Sequence, residues 1–305
     1  MSKTILPFLA SILLCHASLS LAENEITVIY PNAQSDRDPR QEYFLDLLEL
    51  ALECTRVTHG DYQLKVYEEN LPPSRIPVLV RNDRLINIMS SPVSEFLNTN
   101  MHAIPFPLLM GIQGVRVSLV HQDNQQIFAQ VNHLNDFKKI IFGQGLGWID
   151  TLILQDANLK VDTSGNYESL FAMLANKRID ALPRGVNEAF AELEQFKTLY
   201  MDLVIEPNMA FYYLLPVYFY VSKDNSALGE RVFQGLKTAV KEGQFKQLFE
   251  QYYASTIAKL NLPNRKLFVL KNNHIPENTG SQVSEYLHPA IKSHFSETNK
   301  EQSPQ

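Results

Sequence analysis

The hydrophobic pattern changes period along the chain, from short continuous apolar runs to apolar positions that recur at helical spacing. The run 26–30 (ITVIY) has the length of a buried strand, whereas 38–54 repeats its apolar positions at a period close to that of a helix. Further strands are predicted at 62–67, 85–89, 115–120, 140–142, 159–162 and 179–182, and further helices at 148–156, 167–177, 187–196, 227–240 and 244–253. This alternation is typical of α/β folds with mostly parallel sheets.

Two segments break the alternation, and both predict that the chain crosses between two lobes. The segment 104–120 begins with prolines and glycines and ends in a long alternating strand, which is expected to lead into a second lobe. The aromatic run 211–221 (FYYLLPVYFYV) is expected to carry the chain back. A length of 305 residues agrees with about two domains. The sequence turns polar near its end, where a tail at 273–305 is expected to wrap the surface or to be partly disordered.

The first residues have the pattern of a secretory signal peptide. Lys3 precedes an apolar core at 5–14, and Ser20 and Ala22 place small residues where a signal peptidase requires them. An apolar core of about ten residues is too short to span a bilayer, which takes roughly 20 in a helix. We therefore predict a signal peptide at 1–22, cleaved after Ala22, and a periplasmic mature chain. A buried N-terminal helix is the alternative.

Composition and charge narrow the function classes. The chain has 33 acidic side chains against 27 Lys and Arg and no basic cluster, which argues against a nucleic-acid partner. The apolar run 209–221 is interrupted by Pro216 and is too short to span a membrane. No metal-binding histidine motif or nucleophile elbow occurs, and neither a metal nor a cofactor is predicted. Cys54 ends a helical apolar stripe and is interpreted as a buried, inert thiol.

A glycine-rich stretch lies between the strand at 140–142 and the following helix. Gly143, Gly145 and Gly147 have the spacing GxGxG, which differs from the GxGxxG of dinucleotide sites. Asp162 stands where a ribose-binding acid would, yet nucleotide binding is disfavoured. A glycine loop at a helix N-terminus suits a carboxylate or another anion, and a purely structural tight turn is the alternative. Trp148 starts the helix and is expected either to stack on a ligand or to pack in the core.

Two arginines are candidates for binding an anion. Arg184 directly follows the strand at 179–182, and ligands of open α/β sheets lie beyond the carboxyl ends of strands. The alternative for Arg184 is a salt bridge to a neighbouring acid such as Glu188. Arg116 lies in the crossing strand and faces either the cleft or solvent, and an exposed hinge position is favoured.

Four regions follow one another in an order that points to a known family. They are Ser90-Ser91-Pro92, which is expected to form the loop after a strand, the glycine loop 143–148 (GQGLGW), the helix–strand stretch 167–181 (YESLFAMLANKRIDA), and the return strand with its closing helices at 217–253. With them the chain resembles the periplasmic solute-binding proteins of family 3, which have the type II binding fold best known from amino-acid importers. The likeness extends from about residue 25 to residue 253.

The resemblance implies a two-lobed α/β fold with two crossing hinge strands and a ligand bound between the lobes. Lobe 1 is expected at 24–113 plus 215–272, and lobe 2 at 114–214. The residues expected to contact the ligand are Ser90, Ser91, Arg116, Gly145, Gly147, Trp148 and Arg184.

One departure from the family pattern affects the expected ligand. Amino-acid binders follow a Thr-Pro step with an arginine that binds the ligand's α-carboxylate, whereas this chain has Ser91-Pro92-Val93-Ser94. A serine cannot form the forked, charge-assisted pair of an arginine. Either Arg184 or Arg116 takes over the carboxylate, or the ligand is not an ordinary α-amino acid.

The expected function is that of a monomeric periplasmic receptor without a cofactor. It would hand a small polar, anionic or zwitterionic ligand to the permease of an ABC importer or to a membrane sensor. Two other classes stay open. The first is a dehydratase-like periplasmic enzyme on the same fold, with Glu188 as its cleft carboxylate, and the second is a signalling partner that binds no small molecule.

Overall fold

The computed structural model describes residues 25–33, 41–72 and 74–292. The strands are β1 (Ile26–Tyr30), β2 (Tyr62–Val66), β3 (Ile88–Pro92), β4 (His102–Ile104), β5 (Val115–His121), β6 (Ile141–Gly145), β7 (Lys160–Ser164), β8 (Ala181–Gly185), β9 (Leu203–Ile205), β10 (Met209–Tyr212), β11 (Val217–Val221) and β12 (Lys266–Val269). The helices are α1 (Gln41–Glu53), α2 (Arg56–His59), α3 (Ile76–Arg81), α4 (Glu95–Asn100), α5 (Gln125–Ala129), α6 (Ile149–Asp156), α7 (Tyr167–Ala175), α8 (Val186–Phe196), α9 (Ser226–Lys241), α10 (Gln244–Leu260) and α11 (Thr279–Val283). The predicted signal peptide at 1–22 lies outside the described residues.

Lobe 1 is built on two small groups of strands. β1 and β2 pair in parallel, and β11 lies between β3 and β4 in an antiparallel sheet. The side chain of Asn87 joins the two groups, because it accepts from the N–H of Ile29 at 2.8 Å. The helices α1, α9 and α10 pack against one another over this lobe. A Cβ at Gly235 would lie 1.9 Å from the carbonyl oxygen of Ala51, so glycine allows α9 to approach α1 this closely.

Lobe 2 contains the larger sheet, in the order β12-β10-β5-β8-β6-β7, with β9 also paired to β5. β6 pairs in parallel with β7 and β8, as expected for strands linked by the crossover helices α6 and α7. β5 runs antiparallel to both of its neighbours β8 and β10. Aromatic rings fill the space beside this sheet, with Phe137 and Phe142 against Phe211. The strand β5 therefore lies in the middle of the sheet, and its side chains are buried.

The chain crosses between the lobes twice, at 105–114 and at 213–216. The two segments contact each other where the N–H of Tyr213 donates to the carbonyl of Gly114 at 3.2 Å. A Cβ at Gly114 would lie 2.3 Å from the carbonyl oxygen of Tyr213, which explains the glycine there. The predicted two-lobed α/β fold with two crossing strands is confirmed.

Three strands, β3, β6 and β8, run three residues past their predicted ends. Ser90 to Pro92 was expected as a loop, but it extends β3, because Ser90 and Ser91 pair with Phe219 and Tyr218 of β11. The residues 143–145 extend β6 along β7 instead of forming a loop. β8 begins later than predicted and runs to Gly185. In each case a neighbouring strand continues the ladder past the end of the apolar run.

The end of the described chain contacts both lobes. β12 pairs in parallel with β10 and so joins the sheet of lobe 2, whereas the prediction counted 215–272 with lobe 1. Beyond it, the carbonyl of His274 accepts from the N–H of Glu95 on lobe 1 at 3.1 Å. The ring Nε2 of His274 lies 3.0 Å from the carboxylate of Asp156 at the end of α6 on lobe 2. We call the segment 270–292 the C-terminal strap.

The rest of the strap packs on lobe 1 and on the first crossing segment. Val283, Leu287 and Ile291 are buried, and the N–H of His288 donates to the carbonyl of Met110 at 2.8 Å. Gly111 has a left-handed φ of +82°, and a Cβ there would lie 2.5 Å from Leu287. Apolar anchors thus fix a segment whose composition is mainly polar. Of the helices in the described parts of the chain, none is long and apolar enough to cross a membrane.

Candidate functional site: the cleft between the lobes

A cleft of about 530 Å³ lies between the two lobes and is lined by residues of both, together with residues of the crossing strands. Small-molecule sites occupy roughly 300–1,000 Å³, so the cleft has the size of a ligand site. Lobe 1 contributes the ends of β1 and β3 and the helices α1, α3 and α4. Lobe 2 contributes the start of α6, the end of β8 and the start of α8.

Arg184 of β8 lies in the cleft wall and is paired with two acids of α8. Its Nε and Nη2 each lie 2.7 Å from an oxygen of Glu192, and Nη2 lies 3.2 Å from Glu188. Glu188 and Glu192 are one helical turn apart, so the same face of α8 presents both carboxylates. The ring of Trp148 covers the guanidinium at 4.5 Å. Arg184 thus forms the salt bridge considered for it, and Trp148 stacks on this arginine.

Arg116 of β5 is the second arginine of the cleft, and it is 1% exposed. The exposed hinge position expected for it is wrong, because β5 is a central strand between β8 and β10. Its Nη2 lies 2.7 Å from Asp150, and its Nη1 lies 3.5 Å from Glu188. The hydroxyl of Tyr213 also donates to Asp150. The Nε of Arg116 has no hydrogen-bond acceptor among the described residues.

Glu188 connects the two arginines into one buried network. Its carboxylate faces Arg116 and Arg184 and accepts from the backbone N–H of Gly185 at 3.1 Å. Burial alone would lower the pKa of Arg184, but Glu188 and Glu192 outweigh it and hold that pKa well above the ordinary value. The pKa of Arg116 is also raised, because the attraction of its carboxylate partners, chiefly Asp150, outweighs the effect of burial. Both guanidiniums are therefore charged. The network thus contains two positively charged guanidiniums and three carboxylates.

The glycine stretch has a structural part and a part that reaches the cleft. A Cβ at Gly145 would lie 2.2 Å from the ring of Trp148, so this glycine makes room for the indole, and it is not among the cleft-lining residues. Gly147 has a left-handed φ of +81° and lines the cleft together with Trp148. Asp162 lies on β7, opposite Gly143, and does not line the cleft. This arrangement does not reproduce a dinucleotide site.

The described part of lobe 1 presents a neutral wall. Ser90 and Ser91, which the resemblance implies as ligand contacts, line the cleft, and the hydroxyl of Ser90 hydrogen-bonds that of Tyr30 at 2.5 Å. The lining residues of this lobe, as far as the structure describes it, include no Asp, Glu, Lys or Arg. Cys54 lies elsewhere, half buried, with its thiol 3.3 Å from the amide oxygen of Gln244.

Sequence reasoning missed three members of the buried network. Asp150, Glu192 and Tyr213 were not singled out, although each contacts an arginine or its partner. The only sequence signal was indirect, because Glu192 lies one turn after Glu188 on a predicted helix. Gln113 was also missed: with its amide oxygen facing Arg116, it accepts from Nη1 at 3.2 Å.

Comparison with solved structures places the fold among two-lobed periplasmic amino-acid-binding proteins. The chain is similar to an ancestral arginine-binding protein bound to arginine, with a TM-score of 0.56 and 16% identity over 76% of this chain and 99% of that one. It is also similar to an ancestral amino-acid-binding protein described as a precursor of cyclohexadienyl dehydratase, with a TM-score of 0.53 and 14% identity over 74% of this chain and 95% of that one.

A third similar structure is described in connection with glutathione import in Gram-positive bacteria, which uses a cystine ABC importer in Streptococcus mutans. Its TM-score is 0.56, with 12% identity over 75% of this chain and 95% of that one. Comparisons with protein-family models and with curated proteins give no match. The likeness is thus one of fold, carried by three-dimensional structure at low sequence identity.

Proposed function

We propose that this protein is a periplasmic receptor that closes its two lobes around a small zwitterion. The observation that carries the proposal is the buried network of two arginines and three carboxylates in one wall of the interlobe cleft. Contacts from both lobes would favour the closed form, and hinge bending at the two crossing segments would interconvert it with the open form.

The charges of the network favour a zwitterion over an anion. Both guanidiniums already have carboxylate partners, and the five groups together carry a net charge of −1 if all are ionised. A purely anionic ligand would add negative charge to a buried site that has an excess of it, which is costly. A zwitterion can exchange partners, with its ammonium group facing Asp150 or Glu188 and its carboxylate facing Arg116.

The similar structures support the amino-acid class. One is bound to arginine and another is described as an amino-acid-binding protein. For this chain we infer the shared part of that chemistry, an ammonium and a carboxylate on one small molecule. The permease of an ABC importer is our proposed partner, with a membrane sensor as the alternative, and the predicted signal peptide at 1–22 would deliver the protein to the periplasm as a monomer.

The geometry at Glu188 argues against the dehydratase-like alternative with this residue as a general acid. Two guanidiniums and the N–H of Gly185 face its carboxylate. Donors of this kind stabilise the ionised form of a carboxyl group, whereas a general acid has to carry a proton. Incubation of the protein with each bound compound, followed by mass spectrometry, is expected to return the compound unchanged.

The test is isothermal titration calorimetry of the full chain with matched triplets of compounds. Each triplet contains an α-amino acid, the amine without its carboxylate and the acid without its ammonium group. We expect binding of zwitterions and at least a tenfold loss for both truncated forms, because each leaves one buried charge without its partner, a loss of about 1.4 kcal/mol or more. Equal affinity for the acid and the zwitterion would contradict the proposal.

An Arg116→Met variant separates the network from the rest of the cleft. Methionine keeps much of the side-chain length but removes the positive charge that would meet the ligand carboxylate. Zwitterion binding is expected to fall to the level of the amine in this variant, while Lys138→Met, an exposed change on lobe 2, leaves binding as it is. Unfolding curves of both variants check that the fold persists.

A further inference from the structure

The cleft has a second chemical character besides its charged network. Apolar side chains from both lobes line it as well: Phe44, Ile76, Phe96 and Leu97 from lobe 1, and Ile149 and Leu152 from lobe 2. The charged groups are almost completely buried, whereas several of these apolar side chains are open to solvent. The cleft therefore has a polar, enclosed part and an apolar part that solvent reaches.

Phe96 is the most exposed of these apolar residues. It lies in the first turn of α4, which Ser94 caps by accepting from the N–H of Leu97 at 3.3 Å. The next side chain, Leu97, is buried in lobe 1, so the helix is anchored without Phe96, which is 64% exposed. A large aromatic ring that faces a ligand-sized cleft and contributes little to the core is typical of a binding surface.

α6 presents a matching surface on the opposite lobe. Its core face carries Ile153 and Leu154, which are fully buried. Leu152 lies on the solvent side of this helix, is 44% exposed and lines the cleft together with the half-buried Ile149. Ile149 lies one turn before Ile153 and also packs against the core of lobe 2. The apolar surface of α6 thus extends from the core into the cleft at Leu152.

From these two surfaces we infer an apolar subsite between Phe96 on lobe 1 and Leu152 on lobe 2, which takes the apolar side chain of the ligand. This inference rests on the proposed function, because the zwitterionic head at Arg116 and Glu188 would orient the side chain. The ligand class becomes that of amino acids with a branched aliphatic, thioether or aromatic side chain. Full burial of such a side chain is worth about ten- to a hundredfold in affinity.

The two residues could instead touch each other when the lobes close and contribute nothing to ligand choice. The two roles differ in a measurable way. A contact between the lobes stabilises the closed form with every ligand, so its loss weakens all ligands by the same factor. Loss of a contact with the ligand's side chain weakens the binding of apolar ligands only. The difference between the losses for apolar and polar ligands is the coupling energy of a double-mutant cycle.

The experiment is calorimetry of the full chain with leucine, methionine and phenylalanine against asparagine and glutamine. Leucine and asparagine have similar shapes, so their comparison isolates polarity. We expect at least tenfold tighter binding of the apolar group. Phe96→Ser and Leu152→Ser should each weaken leucine about tenfold and change the binding of any polar amino acid less than twofold. Leu146→Ser is the matched control, because Leu146 is exposed on lobe 2 but does not line the cleft.

Each other outcome overturns the inference in a different way. Asparagine bound as tightly as leucine overturns the apolar subsite and leaves the zwitterion receptor standing. Equal weakening of both groups by Phe96→Ser assigns these residues to lobe closure alone. Binding of none of the five amino acids, with binding of another zwitterion among the matched triplets, overturns the subsite alone, whereas binding of no zwitterion at all overturns the proposed function together with it. Thermal unfolding of each variant without ligand shows whether a loss of binding is a loss of folding.

Discussion

The two walls of the cleft face the same ligand space but are stabilised by different interactions. The wall of lobe 2, which includes the central strand β5, contains buried ions that form salt bridges with one another, as Arg184 and Glu192 do. The wall of lobe 1 has no charged lining residue within the described chain, and its best-defined polar contact is the hydroxyl pair of Ser90 and Tyr30. The proposed zwitterion would therefore place its charged groups against lobe 2, while the described part of lobe 1 would supply hydrogen bonds and apolar surface.

The difference has an energetic consequence. A buried ion whose partner is removed keeps its charge in a medium that solvates it poorly, whereas a neutral hydroxyl loses a single modest hydrogen bond. Substitutions in the charged wall should therefore strongly lower the free energy of unfolding. Substitutions in the neutral wall should lower it less and act mainly on ligand binding. Two predictions test this contrast, and two more concern the C-terminal strap that contacts both lobes.

The largest effect is expected from Glu192→Gln in the charged wall. Glu192 is 1% exposed and makes both short contacts with Arg184, so its loss leaves a buried guanidinium with Glu188 as its remaining acid. We expect the free energy of unfolding, measured with urea, to fall by about 3–5 kcal/mol.

Glu194→Gln on the same helix is the control. Its carboxylate is mostly exposed and lies 3.8 Å from Lys197, so a change within about 1 kcal/mol is expected. Equal free energies of unfolding for the two variants would contradict the idea that the buried charges of this wall are critical for stability.

A smaller effect is expected from Ser90→Ala in the neutral wall. The variant removes the hydrogen bond to the hydroxyl of Tyr30, which remains close to the cleft and can bond to water. A loss of about 0.5–1.5 kcal/mol in urea unfolding is expected. A loss as large as that of Glu192→Gln would erase the distinction between the walls.

The third prediction concerns acid and the strap that packs behind lobe 1. Burial lowers the pKa of His288, with Glu250 opposing the shift and Lys246 adding to it. A histidine with a lowered folded-state pKa favours the neutral ring, so its stabilising effect is present at neutral pH and is lost as the pH falls through that pKa.

Hydrogen exchange of 279–292 is therefore expected to become faster as the pH drops from about 7 to about 5, after correction for the intrinsic rate. His288→Gln keeps a polar side chain that does not titrate in this range, and its exchange should lose this pH dependence. An unchanged dependence in the variant would place the titrating group elsewhere.

The smallest effect on stability is expected from Asp156→Asn, which weakens the contact of the strap with lobe 2. Both partners of the pair His274–Asp156 are partly exposed, so a change of less than about 1 kcal/mol is expected. The separation of the two walls should respond more clearly, as a larger radius of gyration in small-angle scattering. Asp162→Asn, on an exposed position of the same lobe, serves as the control, and an identical radius in both variants would speak against the strap as a link.

The α/β order, the two crossings and the place of Arg184 after a strand were predictable, because each follows from local patterns of apolar and polar residues. The burial of Arg116 was not, since a residue in a crossing strand was expected at an exposed hinge. The partners of the arginines were harder to predict. Arg116 meets Asp150 across two strands and a loop, and such an ion pair depends on the packing of the sheet rather than on spacing along the chain. When the acidic partners of an arginine cannot be located in the sequence, the arginine is easily interpreted as an anion-binding residue.

The same limit explains the misplaced boundaries. A strand ends where its neighbour stops pairing, as β3 does beside β11, and no feature of Ser90 or Ser91 announces that partner. The position of β12 could not be predicted for the same reason, because its hydrogen-bonding edge belongs to a strand far earlier in the chain. The order of the strands was therefore predicted well, whereas the residues at which several strands end and the partner of β12 were not.

The pairing of β12 with β10 also bears on how the protein comes to be folded. Met209 pairs with Lys266, so the edge of the larger sheet stays uncovered until the end of the chain is available. An uncovered strand edge can pair with other chains, and contacts between distant segments form slowly. If the chain is exported from its N-terminus onward, lobe 2 cannot complete its sheet until β12 has passed the membrane.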